Sequence, residues 1–295
     1  ADGYLLNCRS VSYHLNDDQT YSPREADGIF RTRNFLLRLD RELRALEQTE
    51  VVSTAEPLRS EWVRGLEDAR LFATSSGLGF TCTTTDLHPA GSVRMSLVTL
   101  SEAGGVAGHH PLHGHDDDRP QKNWLPFADG ADSRELLAVY SYEPLVVLRV
   151  DQDTGSCEPT VERTQGRPFD LFRGSAGPID LPAERGGGRL LLVHAVAFHE
   201  IRYYLHRFLR VDDEWRVTAA SRPFYFQHLG IEFACGACIA HEGDLLVTFG
   251  VEDREAWLCR IPLERVCELL RPLPDWPQAP RKSEAVVEAN AEKPV

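Results

Sequence analysis

The chain has 295 residues, 42% hydrophobic and 26% charged, proportions of a soluble globular protein long enough for one large domain or two ordinary ones. Its net charge of −13 excludes a broad nucleic-acid-binding surface, which needs clustered Lys and Arg, yet leaves room for a small anion in a local basic pocket. No apolar run approaches membrane-span length and no stretch reads as a signal peptide, while seven scattered Cys fit reduced thiols better than a disulfide framework, so a cytoplasmic location is expected.

Along the chain, five strand pairs share one plan. Tyr4–Arg9 pairs with Asn34–Asp40, Gly79–Thr83 with Val93–Val98, and Leu136–Tyr140 with Val146–Asp151. Leu190–His194 pairs with Leu205–Asp212, and Leu245–Phe249 with Ala256–Ile261. The period is roughly 50–60 residues, and a short Gly- or charge-marked segment precedes each of the last four pairs. These segments are Leu66–Phe72, Lys122–Phe127, Gly174–Ile179 and Ile231–Ala237.

Three or four short strands per unit, with turns such as Asp129-Gly130 and Glu242-Gly243 between them, predict an all-β chain folded as a five-bladed β-propeller. One blade cannot bury both faces of its sheet, so neighbours cover it, and the short segments line a central channel. Leu263–Leu270 reads as the single short helix, closed before Pro272. The propeller is expected over residues 1–272, with 273–295 a Pro-rich and charged tail. Gly104–Gln121, rich in His and Asp, reads as a solvated loop rather than a metal site, and Cys235-Gly-Ala-Cys238 as core packing rather than a redox motif.

The densest charge cluster is Arg64-Gly65-Leu66-Glu67-Asp68-Ala69-Arg70, at the entrance of the second unit. It resembles the Gly-x-Glu-Asp-Pro-Arg signature of glycoside hydrolase family 130. Lys122-Asn123-Trp124-Leu125-Pro126-Phe127 is similar to that family's Lys-Asp-x-x-Leu-Phe-Pro stretch. Arg173–Ile179 with Leu191–His194 resembles its Gly-x-Gly-x-Pro-Pro-Ile and Tyr-His-Gly-Val pair, and Glu232–Ala237 its Phe-Pro-Cys-Gly-Ala. The matches fall in order over roughly residues 1–265. Ala69 stands where the family has Pro, Asn123 where it has Asp, and Ala195 follows His194 where it has Gly.

The resemblance implies a five-bladed propeller and inverting transfer of a β-mannosyl-type sugar to or from phosphate. Glycosyltransferase family 108, which shares the architecture, keeps a nucleotide-sugar transferase in view. Hydrolysis and non-catalytic glycan binding remain as further alternatives. Inverting transfer needs one carboxylic acid to protonate the departing oxygen and a nucleophile on the opposite face. By the family match Asp68 is the candidate general acid. Strand alternation would turn Glu67 to the other side, which argues against a working dyad and leaves a buried ion pair of Asp68 with Arg64 or Arg70 as the bland alternative.

Phosphate needs converging cations, and Arg173 and His194 match the family's phosphate positions, with Arg94 and Lys122 as further members. Arg9, Arg33, Asn34, Glu67, Asn123, Tyr142, Glu143 and Glu232 are candidates for sugar contacts, with Glu143 or Glu232 the water-activating base if the reaction is hydrolytic. This chemistry requires no metal or organic cofactor, only inorganic phosphate as co-substrate. The expected partner is an oligosaccharide, sugar phosphate or nucleotide sugar.

Overall fold

A computed structural model describes residues 3–53, 55–58, 63–88, 92–130, 132–198 and 201–273. Five small antiparallel sheets stand in a ring, a five-bladed β-propeller. Blade 1 holds β1 (Tyr4–Val11), a rim hairpin of β2 (Tyr13–Leu15) and β3 (Tyr21–Pro23), then β4 (Phe30–Leu39), β5 (Ala45–Val51) and the short β6 (Val63–Arg64). Blade 2 holds β7 (Glu67–Thr74), β8 (Gly77–Thr84), β9 (Arg94–Leu100) and β10 (Val106–Pro111). Blade 3 holds β11 (Leu125–Ala128), β12 (Leu136–Tyr142), β13 (Leu145–Val150) and β14 (Cys157–Arg163).

Blade 4 holds β15 (Arg173–Asp180), β16 (Arg189–Phe198), β17 (Arg202–Val211) and β18 (Val217–Ala220). Blade 5 holds β19 (Glu232–Ile239), β20 (Asp244–Val251) and β21 (Glu255–Pro262), followed by helix α1 (Leu263–Leu269). The last strand, β22 (Arg271–Pro272), pairs with β18 and pins the chain to blade 4. The tail from residue 274 onward lies outside the described residues.

The five sequence pairs are the β1/β4, β8/β9, β12/β13, β16/β17 and β20/β21 hairpins. The four short segments are the inner strands β7, β11, β15 and β19, which line the channel. Gly104–Gln121 departs from expectation, because its first part is β10, the outer strand of blade 2. No helix among the described residues is long and apolar enough to cross a membrane.

Alternating residues of facing sheets make four separate cores. Leu36, Leu66, Phe80 and Val98 join blades 1 and 2, and Met95, Trp124, Leu136 and Leu148 join blades 2 and 3. Phe169, Val147, Leu191 and Leu209 join blades 3 and 4, and Phe208, Leu190, Val247 and Val266 join blades 4 and 5. Each fully buried side chain of this size contributes about 1.5–3 kcal/mol. Trp124 is spent here, edge-on to Tyr140 and 1% exposed, rather than against a sugar. Among the described residues no such cluster joins blades 5 and 1, which meet through polar ties: Arg9 and Tyr21 to Asp253, and Arg254 to the Leu15 carbonyl.

Candidate functional site

The Gly65–Arg70 segment enters blade 2 by an irregular path. Gly65 has φ +102°, and a Cβ there would stand 2.4 Å from the Thr32 carbonyl oxygen, so only glycine fits. A β-bulge between Glu67 and Arg70 follows, with Asp68 in the left-handed region at φ 52°. The bulge breaks strand alternation. Strict alternation therefore does not set the directions of Glu67 and Asp68 here: Asp68 lines the channel cavity, and both carboxylates still act electrostatically on Arg9.

Arg9 is the hub of the rim. Its Nη1 donates to Asp68 Oδ1 at 2.6 Å, and its Nη2 donates to Asp253 Oδ1 at 2.8 Å and to the Tyr13 hydroxyl at 3.1 Å. Burial opposes the guanidinium charge, but Asp68, Tyr13 and Asp253 outweigh it and raise the pKa. Tyr21 donates its hydroxyl to Asp253 Oδ2 at 2.8 Å. Asp68 thus takes its ion pair from blade 1 rather than from Arg64 or Arg70. The Glu67 carboxyl has no hydrogen-bond partner among the described residues, while its backbone pairs with Thr83. Burial first, then the Asp68 charge, raise its pKa, against the opposing pull of Arg9 and Lys122.

At the same end of the channel, Arg70 of blade 2 ties itself to blades 3, 4 and 5. It donates to the carbonyls of Asp68 (2.9 Å), Gly174 (3.0 Å) and Ser175 (3.2 Å) and to Asn123 Oδ1 (3.1 Å), with its guanidinium over the Phe233 ring. Asn123 is therefore committed to Arg70 through its side-chain oxygen. The start of every inner strand converges here, and Cys235 Sγ adds a contact to the Ala69 carbonyl at 3.5 Å. Burial raises the thiol pKa of both Cys235 and Cys238, which disfavours the reactive thiolate.

The expected phosphate cage divides. Lys122 and Arg173 are exposed, and neither side chain makes a hydrogen bond or ion pair among the described residues. Lys122 acts on Glu67; Arg173 acts on His194 and on Tyr204, which also feels Asp68 and Asp253. His194 is 1% exposed, shares a hydrogen bond with Ser175 Oγ at 2.9 Å and stacks on Tyr204. Burial, then His206, Arg70 and Arg173, push its pKa well below the ordinary value, so it is a neutral packed imidazole rather than a phosphate cation. Arg94 turns toward Asp117, at 3.7 Å, on the blade 2 side.

Several expected sugar contacts are corrected. Arg33 is 60% exposed and forks onto Glu50, away from the channel, because its position on β4 points outward. Asn34, 1% exposed, donates to the Leu66 carbonyl at 2.7 Å and accepts from Asn7, which clamps blade 1 to blade 2. Tyr142 is 2% exposed within the blade 3–4 core. Glu143 accepts the backbone N–H of Gln165 at 3.0 Å and of Arg167 at 3.4 Å. Glu232 is fully buried and accepts three backbone N–H groups, from Phe226, Gln227 and His228 at 2.5–2.9 Å. Both carboxylates organise loops, so neither is placed to activate water.

Sequence reading missed Tyr13 and Asp253. Asp253 had a signal: Glu252-Asp253-Arg254 repeats the acidic-basic pattern of Glu67–Arg70 at the rim turn of the last blade. The candidate site therefore gathers Asp68 and Asp253 around Arg9, all three lining a cavity of about 750 Å³ that runs down the channel, with Glu67 next to Asp68 and acted on by the exposed Lys122. That volume is in the range of small-molecule clefts. Among the described residues no three His, Cys, Asp or Glu side chains gather as metal ligands.

No family model and no curated protein matches the chain. Among solved structures, one titled as the Dos1 propeller is 12% identical with TM-score 0.30, the match covering 85% of this chain and 59% of that one. A glucose dehydrogenase is 12% identical with TM-score 0.41, covering 88% and 82%. A fucose-specific lectin from Aleuria aurantia is 7% identical with TM-score 0.30, covering 87% and 96%.

Proposed function

We propose that the chain is a carbohydrate-active enzyme that transfers a glycosyl group, of the β-mannosyl type, to or from phosphate with inversion. The observation that supports this reading is that Glu67, a carboxyl whose pKa burial and the Asp68 charge raise, stands beside Asp68 and within the field of the exposed cation Lys122, with a second exposed cation, Arg173, at the start of the blade 4 inner strand. In the proposed step the proton leaves Glu67 for the glycosidic oxygen, directly or through a sugar hydroxyl. The C1–O bond breaks as a phosphate oxygen attacks C1 from the opposite face, and the products are a sugar 1-phosphate and an alcohol. Burial first, and then the charge of Asp68 held by Arg9, favour the protonated form of Glu67. The family resemblance would give the proton to Asp68; the Arg9 ion pair makes Asp68 the acceptor partner at rest.

The same cations suit the diphosphate of a nucleotide sugar. Two assays separate the donors: β-mannosides with inorganic phosphate, and nucleotide sugars with and without an acceptor. Sugar 1-phosphate release in the first supports the proposal. Turnover of nucleotide sugars alone assigns the transferase reading. Glycan binding without turnover, unchanged by Glu67→Gln or Asp68→Asn, assigns a binding module. In the phosphorolytic case Arg173→Ala and Lys122→Ala are expected to raise KM for phosphate about tenfold each, with the fold intact, since each removes one charge-assisted contact of about 1.4 kcal/mol.

A further inference from the structure

Blade 1 differs from the others in strand direction. The inner strands β7, β11, β15 and β19 all begin at the rim where Arg70 meets Asn123, Gly174 and Phe233. β1 instead ends at that rim, where Arg9 meets Asp68, and begins at the opposite one, where the Tyr4 hydroxyl accepts the His241 N–H at 3.2 Å. β1 therefore runs like the second strands β8, β12, β16 and β20, and β4 like the third strands. Blade 1 has its second, third and fourth strands and no inner strand among the described residues.

The consequence is an unpaired strand edge inside the molecule. β1 pairs with β4 on one side only. Seven of its eight residues are half-buried and none is buried, whereas β8, β12, β16 and β20 are largely buried. All eight residues line the cavity, facing β7 and β19. The Asn7 side-chain oxygen there is buried without a hydrogen-bond partner. An eight-residue edge about 27 Å long, with alternate N–H and C=O groups turned to a cavity, is a template for one added strand.

We infer that this part of the cavity receives an extended polypeptide strand, antiparallel to β1 and continuous with it through a hairpin turn, which completes blade 1. Three observations choose this occupant. The four other blades each put an inner strand in the equivalent place. In all four, the inner strand precedes the second strand and joins it by a short connection, from two residues between β7 and β8 to eight between β15 and β16. The inner strands are also rich in small residues where they crowd the axis, as in Ser175-Ala176-Gly177 and Ala234-Cys235-Gly236-Ala237, so the occupant is a strand of Gly, Ala and Ser character. It runs along the same cavity whose rim Arg9, Asp68 and Asp253 line, so it shapes the floor beneath the proposed sugar site; the inference rests on strand topology and not on the proposed chemistry.

Hydrogen–deuterium exchange of the β1 amides tests this. The comparison is between residues 1–295 and the same chain extended through the residues encoded immediately before Ala1. The expected result is that the β1 amides not bonded to β4 exchange at least tenfold more slowly in the extended chain, and that deleting residues 274–295 changes neither. Equal exchange in the two chains, or a gene with no strand-length segment before Ala1, overturns the inference. So does protection that depends on residues 274–295, which makes the tail the occupant, or protection that rises with protein concentration, which makes it a second copy.

Discussion

Arg9 donates to Asp68 at 2.6 Å and to Asp253 at 2.8 Å, joining blades 1, 2 and 5 at one guanidinium. Among the described residues blades 5 and 1 share no apolar cluster of the kind that joins the other neighbouring blades, so this fork, with Tyr21–Asp253 and Arg254–Leu15, contributes to ring closure as well as to the site's electrostatics. Arg9→Ala leaves two partly buried carboxylates without their cation. The expected loss is about 2–4 kcal/mol, read as a lower urea midpoint. Arg9→Lys recovers only part, because a single ammonium does not reproduce the two-armed fork.

Glu67 gives a pH signature of opposite sign to an ordinary ion-paired acid. Its folded pKa lies above the unfolded carboxylate value, so folding favours the protonated form. That contribution is fully present below the unfolded pKa of about 4.3 and is lost as pH rises through the raised folded value. Urea midpoints of the native chain are expected to fall over that interval relative to Glu67→Gln. Parallel pH profiles for the two proteins would remove the case for a proton held at Glu67.

His206 acts in the other direction. It is fully buried, its Nε2 accepts the Ala234 N–H at 3.3 Å, and burial lowers its pKa from the ordinary 6.5 to about 4. The unfolded chain binds the proton first, so stability is lost as pH falls from about 6.5 toward 4, by about 3 kcal/mol. His194, also lowered, adds to the same loss. NMR titration of the two imidazoles checks this: both are expected to stay neutral at pH 5.5.

Glu232 separates loop architecture from chemistry. Glu232→Ala strips acceptors from three backbone N–H groups and is expected to cost about 2–4 kcal/mol, with local exposure of residues 224–228 in hydrogen exchange. A well-folded Glu232→Ala chain that had lost only turnover would make Glu232 a catalytic base after all.

The blade plan was legible because each strand pair is apolar and alternating, and every inner segment carries a Gly or charge mark. Of the candidate site, the sequence marks Glu67 and Asp68 through a local charge cluster and names Arg9, Lys122 and Arg173 one by one, but not their arrangement. Side-chain direction was not legible either. A left-handed Asp68 and a one-residue bulge interrupt the alternation that the pattern implies. Residues such as Asn34, Glu143 and Glu232 look functional in sequence because they are polar amid apolar strands. They are in fact taken up by backbone groups that close blades and loops, a demand set by burial and invisible in one dimension. Asp253 joins the rim only once the ring brings blade 5 against blade 1.

The most direct test of the proposed chemistry is release of sugar 1-phosphate from β-mannosides as a function of inorganic phosphate, in the native chain, Glu67→Gln and Asp68→Asn. The expected result is saturable phosphate dependence in the native chain. A fall in kcat of at least a hundredfold is expected in Glu67→Gln, with phosphate KM little changed, since general acid catalysis contributes about 10²–10⁴. Asp68→Asn is expected to lose turnover as well. Turnover indifferent to phosphate, or unaltered in Glu67→Gln, would contradict the account.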